Sequence, residues 1–489
     1  MKILLTYSAS DIGYYNFEMV PPIGVISLVS VLPEKVKEKT HFLDANILST
    51  ENVKEWIKKE KPDIVGISAL TYGYKSAIEI GKTAKENNAI VVLGGTHATN
   101  ATLQIYNKML LSQRPFDHLI YGFGEYGFLG LVNDYERFGG ISYRTRDFIG
   151  NILQKETRIE EILKNVEKRG NYHFERVYDD KQAFDYSILR EANAPSKYGV
   201  KLKKIGKLSQ ASISMPIMTQ IGCDQACKFC CIPKGIVKIP DNVFEKSLEN
   251  LLTQTNADHI WLTDPNLFTS YEHVNNVVKI VKDVKEKTGK DPAAWYLFSR
   301  ADRLLEKKNV DLLDELGNIS VLLGYESGSD KILKLMRKHE TKKDMLKATY
   351  NLAEKGIEII SATFVLGTPG ETRKTLEETI QFTRQLSQIG NIKSLLSQPV
   401  YPLPGSPYFK EFIQALSQVN PALADELKVN DIFEMNLLMP LFQEVAHLMP
   451  KGGKYEERPS YSELIDAREE MFKIIPKGVE FSDIKNDYS

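Results

Sequence analysis

The sequence predicts an α/β protein in three parts: an N-terminal doubly wound parallel sheet, a central partial (βα)6 barrel and a C-terminal helical cap. Three observations carry this reading. Short apolar runs alternate with amphipathic stretches over residues 1–135. The alternation returns with longer helical patterns between residues 213 and 405, and only helical periodicity follows. A chain of 489 residues is too long for a single core. Its expected divisions are 1–140, a connector 141–210, 211–408 and 409–489.

The first sheet is built from apolar runs at Lys2–Tyr7, Thr40–Asp44, Asp63–Ser68, Ile90–Leu93 and His118–Tyr121, which read as buried parallel strands. One helix follows Pro22, a good first-turn residue. Others span Glu51–Lys59 and Lys75–Glu86, the latter with Ala77, Ile80 and Ala84 on one face. Sheets of this kind bind ligands at the carboxyl ends of their strands, where Ser68, Thr71, Gly94, Gly95, Thr96, Gly122 and Gly124 gather. The connector is polar, with a helix expected at Thr157–Lys168. Barrel strands are expected at Ile213–Gln220, His259–Thr263, Ala294–Phe298, Ser320–Leu323, Glu358–Leu366 and Lys393–Val400. The cap reads as helices at Ala422–Met435, Asn436–Ala446 and Tyr461–Ile474.

Composition excludes several classes. Lys plus Arg number 63 and Asp plus Glu 64, so the net charge is −1 and no basic excess marks a nucleic-acid partner. The longest uncharged apolar stretch, Met19 to Pro33, is shorter than a bilayer span and is broken by Pro21 and Pro22. The run Ile3 to Leu5 is too short for a signal-peptide core, so no membrane span and a cytoplasmic location are expected.

The cysteines carry the first chemical information. All four, Cys223, Cys227, Cys230 and Cys231, fall within nine consecutive residues, which a disulfide framework would not do. Three thiolates at spacings of four and three can ligate three irons of a [4Fe–4S] cluster and leave the fourth iron open. A structural zinc site wants a second ligand pair that is missing, and adjacent Cys230 and Cys231 cannot both reach one tetrahedral ion. Cys231 reads as a small buried thiol. The segment Cys223-Asp-Gln-Ala-Cys227-Lys-Phe229-Cys230 resembles the CxxxCxφC signature of the radical S-adenosylmethionine (SAM) enzymes. That resemblance implies that the open iron chelates SAM. An electron from the cluster then cleaves SAM to a 5′-deoxyadenosyl radical, with the protein supplying orientation and exclusion of water.

Polar groups at the barrel strand ends agree. Asp264 follows the second strand and Arg300 the third; Gly324-Tyr325-Glu326-Ser327-Gly328, Gly367-Thr368-Pro369-Gly370-Glu371 and Tyr401-Pro402-Leu403-Pro404-Gly405 follow the others. The carboxyl face of a barrel is where such folds keep their sites. By resemblance, Phe229, Asp264, Arg300, Gly324, Glu326, Ser327, Gly367 and Pro404 are candidate SAM contacts, with Glu326 foremost. Arg300 has a plainer reading, a surface ion pair with Asp302 or Glu306.

In the first domain, Ser68-Ala69-Leu70 and Gly94-Gly95 resemble the SxL and GG elements of cobalamin-binding domains, which share a flavodoxin-like sheet. The implied cobalamin contacts are Ser68, Leu70, Thr71, Tyr72, Gly94, Gly95, Thr96, Gly122 and Glu125. The usual DxHxxG element is absent, and the segment after the second strand reads Asp44-Ala45-Asn46, so no histidine is supplied to the cobalt. His97 lies just past the double glycine and is a further candidate, set against a loop histidine satisfied by solvent. Gly122-Phe123-Gly124-Glu125-Tyr126-Gly127 is a literal GxGxxG, but it closes the fifth strand, whereas a dinucleotide fingerprint follows the first.

The combination resembles the cobalamin-dependent radical SAM enzymes. It implies C-methylation of an unactivated carbon using methylcobalamin and a 5′-deoxyadenosyl radical; the alternative is a cyclase, ring-rearranging or hydroxylating enzyme on the same parts. An external electron donor such as flavodoxin or ferredoxin is implied. The substrate, a peptide or protein side chain or a natural-product precursor, is not specified by any residue recognised.

Overall fold

The computed structural model describes residues 1–10, 18–138, 152–154, 183–190, 194–200, 213–232 and 234–475. The N-terminal sheet contains β1 (Ile3–Tyr7), β2 (Thr40–Asp44), β3 (Ile64–Ser68), β4 (Ile90–Gly94), β5 (His118–Ile120) and β6 (Ile152–Gln154). Their order is β2-β1-β3-β4-β5-β6, and the first five are parallel. All five expected strands are present. The antiparallel edge strand β6 is an addition, in a segment read as connector.

Alternation along these strands divides the apolar residues between two faces. Leu4, Val65, Ile67, Val91, Leu93 and Leu119 face one core, and Ile3, Leu5, Ile64, Val92 and Ile120 face the other. Helices Ile23–Ser30 and Glu125–Phe138 cover the second face, and Thr50–Glu60 and Tyr74–Glu86 cover the first.

The second sheet contains β7 (Ser214–Ile217), β10 (His259–Leu262), β11 (Ala294–Ser299), β12 (Ile319–Glu326), β13 (Glu358–Leu366) and β14 (Leu395–Pro399). All six are parallel and neighbours in chain order, the arrangement of a partial (βα)6 barrel. One expectation is corrected. The run Ile213–Gln220 is not one strand: it breaks after Ile217, and the chain enters a hairpin of β8 (Gln220–Cys223) and β9 (Gly235–Lys238). Cys223 ends β8, and Cys227, Cys230 and Cys231 sit in the loop of that hairpin.

The cap contains helices Pro407–Val419, Pro421–Val429, Met435–Val445 and Tyr461–Ile474. The helix expected at Ala422–Met435 ends at Val429, because Asp431 and Phe433 turn inward to meet the N-terminal domain. Phe409, Phe412, Phe433, Leu438 and Phe442 share one core with that domain's helices. The cap is therefore packed on the first domain as well as on the barrel.

The connector is more structured than its polarity suggests. Phe184, Tyr186, Ile188 and Tyr198 are buried in the core between the two sheets. Tyr186 Oη donates to the Pro216 carbonyl at 2.6 Å, and Lys37 pairs with Asp185 at 2.7 Å. The expected helix Thr157–Lys168 lies outside the described residues. No helix among the described residues is long and apolar enough to cross a membrane.

Candidate active site

The cysteine loop is held from several sides. Asp264, at the end of β10, accepts from the Thr219 amide at 2.7 Å, the Thr219 hydroxyl at 2.5 Å and the Gln220 amide at 3.3 Å. Burial raises its carboxyl to about 6. Asp264 thus anchors the turn that launches the hairpin. Arg303 pairs with Asp224 at 2.5 Å, the Lys228 amide donates to the Met336 carbonyl at 3.0 Å, and the Tyr408 amide donates to the Lys228 carbonyl at 3.0 Å. Burial raises all four thiols, Cys230 to about 12, and Cys223, Cys227 and Cys230 lie within electrostatic reach of one another. Cys231, also near Cys230, lies beside the Asn100 side chain of the first domain.

Beside the loop lies a buried charge network. Arg300 donates to Asp302 at 3.0 Å and to the Lys338 carbonyl at 2.5 Å, and lies 3.4 Å from Glu340. The Asp302 pair expected as its plainer reading is present, inside the protein. Lys338 Nζ lies 3.4 Å from Glu326 and 3.6 Å from Glu340. Burial opposes its charge, but Glu340 and Glu326 outweigh that and raise its pKa. Arg337 and His339, on either side of it, have positive φ values of 59° and 56°, a folded-back loop that turns Lys338 inward. Glu326 also has a positive φ of 66°, beside a register shift between β12 and β13. A Cβ at Gly324 would collide with the Glu326 carboxylate, so glycine is needed for this carboxylate to fold back over the strand. Arg300 and Lys338 both act electrostatically on Cys223 and Cys227. Sequence reading missed Lys338; the polar run Arg337-Lys338-His339-Glu340 was its only signal.

Other candidates have mainly structural contacts. Ser327 Oγ lies 3.2 Å from Thr379 Oγ1 and accepts from the Ser329 amide at 3.1 Å. The Gly367 amide donates to Glu371, and Arg458 of the cap donates to the carbonyls of Gly367 at 3.1 Å and Thr368 at 3.0 Å. Phe229 packs against the core shared by the cap and the first domain, and Pro404 is buried in the turn before the first cap helix.

A cavity of about 230 Å³ opens at the carboxyl ends of β3 and β4, between the sheet and its two covering helices. Ser68, Gly94, Gly95, Gly122 and Glu125 line it; Met218 and Ile221 of the barrel close its far side. It is smaller than the roughly 300–1,000 Å³ of whole-ligand pockets, so it suits a flat portion of a ligand. Leu70, Thr71 and Tyr72 are not on its wall, and Thr96 is exposed. Thr71 and Tyr72 face the cap, with Tyr72 5.8 Å from the Tyr401 ring. His97 is fully buried, bonded to Thr71 Oγ1 at 3.2 Å and the Asp431 carbonyl at 3.0 Å; burial lowers it to about 4. It joins the domain to the cap. The two sites meet at Asn100, which lies beside Cys231 and against the backbone of Gly405.

The Radical SAM superfamily is matched over residues 217–383 and the B12 binding domain over residues 18–132. These two matches, with the sheet order and the cysteine hairpin, make the chain a B12-binding radical SAM enzyme. Its cofactors are a [4Fe–4S] cluster, SAM and cobalamin. Among similar proteins, the anaerobic magnesium-protoporphyrin IX monomethyl ester cyclase of Rubrivivax gelatinosus is 27% identical over 446 residues, 87% of this chain and 70% of its own. An uncharacterized methyltransferase of Pyrococcus horikoshii is 25% identical over 383 residues, 75% of this chain and 73% of its own. The solved cobalamin-dependent SAM radical enzyme OxsB, with aqua-cobalamin and SAM bound, matches with TM-score 0.57 at 14% identity across 96% of this chain; the chain spans 66% of that structure.

The residues fit these groups. Three cysteines share one anchored loop beside buried cations, and the cavity presents an otherwise unpartnered Glu125 oxygen within an apolar wall.

Proposed function

We propose that the protein methylates an unactivated carbon. When bound, the cluster and SAM supply a carbon-centred radical and cobalamin supplies a transferable methyl group. The carrying observation is Asn100, a residue of the cobalamin domain that touches both the cluster loop at Cys231 and the barrel rim at Gly405. The two cofactor surfaces thereby border one space, which favours a substrate held between a radical source and a methyl donor. In this reading Cys223, Cys227 and Cys230 hold the cluster. Glu326 and Lys338 receive the amine and carboxylate of SAM, and Arg300 holds Lys338 in place through its carbonyl. The cap excludes water, and a flavodoxin or ferredoxin delivers the electron. The methyltransferase of Pyrococcus horikoshii supports this reading.

A cyclisation without methyl transfer is the second reading, favoured by the Rubrivivax gelatinosus relative. Anaerobic turnover with methyl-deuterated SAM separates the two. Methylation yields S-adenosylhomocysteine together with 5′-deoxyadenosine and a deuterated methyl in the product. Formation of 5′-deoxyadenosine without S-adenosylhomocysteine would favour cyclisation and overturn the proposal.

A further inference from the structure

The cavity in the cobalamin domain holds a carboxyl group that its apolar wall does not require. Leu5, Val25, Ile67, Val92 and Phe128 line it, and Glu125 stands among them, 7% exposed. One carboxyl oxygen accepts a hydrogen bond from the Ser27 hydroxyl; the other has no hydrogen-bond partner. Ser27 comes from the helix Ile23–Ser30 and lines the same cavity. No cation is paired with Glu125 among the described residues. A half-paired carboxylate surrounded by hydrocarbon is disfavoured, and burial raises its pKa. Once protonated, the group accepts from Ser27 through one oxygen, carries its proton on the other and is a donor at the cavity wall.

The flat base at the end of cobalamin's nucleotide tail is an apolar ring system with an in-plane nitrogen acceptor, free when no cobalt occupies it. We propose that Glu125, oriented by Ser27, donates a hydrogen bond to that ring nitrogen and makes the site selective for corrinoids that carry a base. Ser68, the remaining polar side chain on the wall, is half-buried at the rim, whereas Glu125 is inside. The literal GxGxxG places this residue: its turn brings Glu125 to the start of the helix facing Ser27. The inference rests on cobalamin binding and not on the reaction, so it and the methylation reading fail separately.

The test uses the full chain without cofactor, titrated with hydroxocobalamin and with cobinamide, which has the same corrin and no nucleotide tail; intrinsic fluorescence quenching reads the affinity. Glu125→Leu should weaken hydroxocobalamin roughly tenfold, the loss of one buried hydrogen bond, and leave cobinamide unchanged. Glu125→Gln keeps an N–H donor and an acceptor for Ser27, and should stay within about threefold of the native chain. Equal weakening of both corrinoids by Glu125→Leu, no weakening of either, or a Gln variant as weak as the Leu variant would overturn the proposal. If Glu125→Leu does not fold, judged by circular dichroism, Ser27→Ala takes its place: selective loss of hydroxocobalamin affinity supports the proposal, and equal or absent loss overturns it.

Discussion

At the scale of single residues, the two glycines of Gly94-Gly95 do different work. A Cβ on Gly95 would lie 2.8 Å from the backbone N and O of Ala69, at a φ of 91° that side chains rarely adopt. Gly95→Ala should therefore cost about 1–3 kcal/mol of stability, measured by denaturant unfolding. A Cβ on Gly94 has only the Ile120 carbonyl nearby, at 3.8 Å, and its backbone is extended. Gly94→Val should leave the unfolding midpoint nearly unchanged while filling the cavity, and should weaken cobalamin roughly tenfold or more by equilibrium dialysis. The cysteines divide similarly. Alanine at Cys223, Cys227 or Cys230 should abolish the visible iron–sulfur absorption, while Cys231→Ala should retain it, because Cys231 is engaged with Asn100. Loss of absorption in the Cys231 variant would show that the ligand set is wrong.

At the scale of elements, the cap is tied to the cobalamin domain through Asp431. This fully buried carboxylate accepts from Arg114 at 2.7 and 2.6 Å and from Tyr74 at 2.7 Å. Asp431→Ala leaves the Arg114 guanidinium unpaired in a part-buried site, and should destabilise by about 3–5 kcal/mol. Arg114→Met with Asp431→Leu should recover much of that loss in a double-mutant cycle. Strands were legible from sequence because fully buried parallel strands are continuous apolar runs, as in Glu358–Leu366, whose bounds agree at both ends. The hairpin was not: Ile213–Met218 is mostly apolar across the break, and the break after Ile217 is set by Asp264, dozens of residues away. Asn100, Asp431 and Arg458 were missed because their partners are remote; Arg114 and Asp431 are 317 positions apart. Local patterning cannot encode such pairs. It did mark the cysteine loop, Glu326 and Glu125, each of which lies in or beside a short turn.

At the scale of the whole molecule, several carboxyls are buried at the junctions between parts, and they make stability depend on pH. Burial raises Glu371 from 4.5 to about 7, and Asp44 and Asp264 from 3.8 to about 6. Between those limits the folded chain keeps protons that the unfolded chain has lost, so stability falls as pH rises. At about 1.4 kcal/mol per unit, Glu371 alone accounts for about 3 kcal/mol by pH 8. The gain in stability from Glu371→Gln should thus be larger at pH 8 than at pH 5, read from denaturant midpoints; an equal effect at both would mean that Glu371 is not raised. Asp431 and Arg458 fasten one cap to both cofactor domains, and that cap is translated after both. A growing chain therefore completes both cofactor domains before either fastening can form.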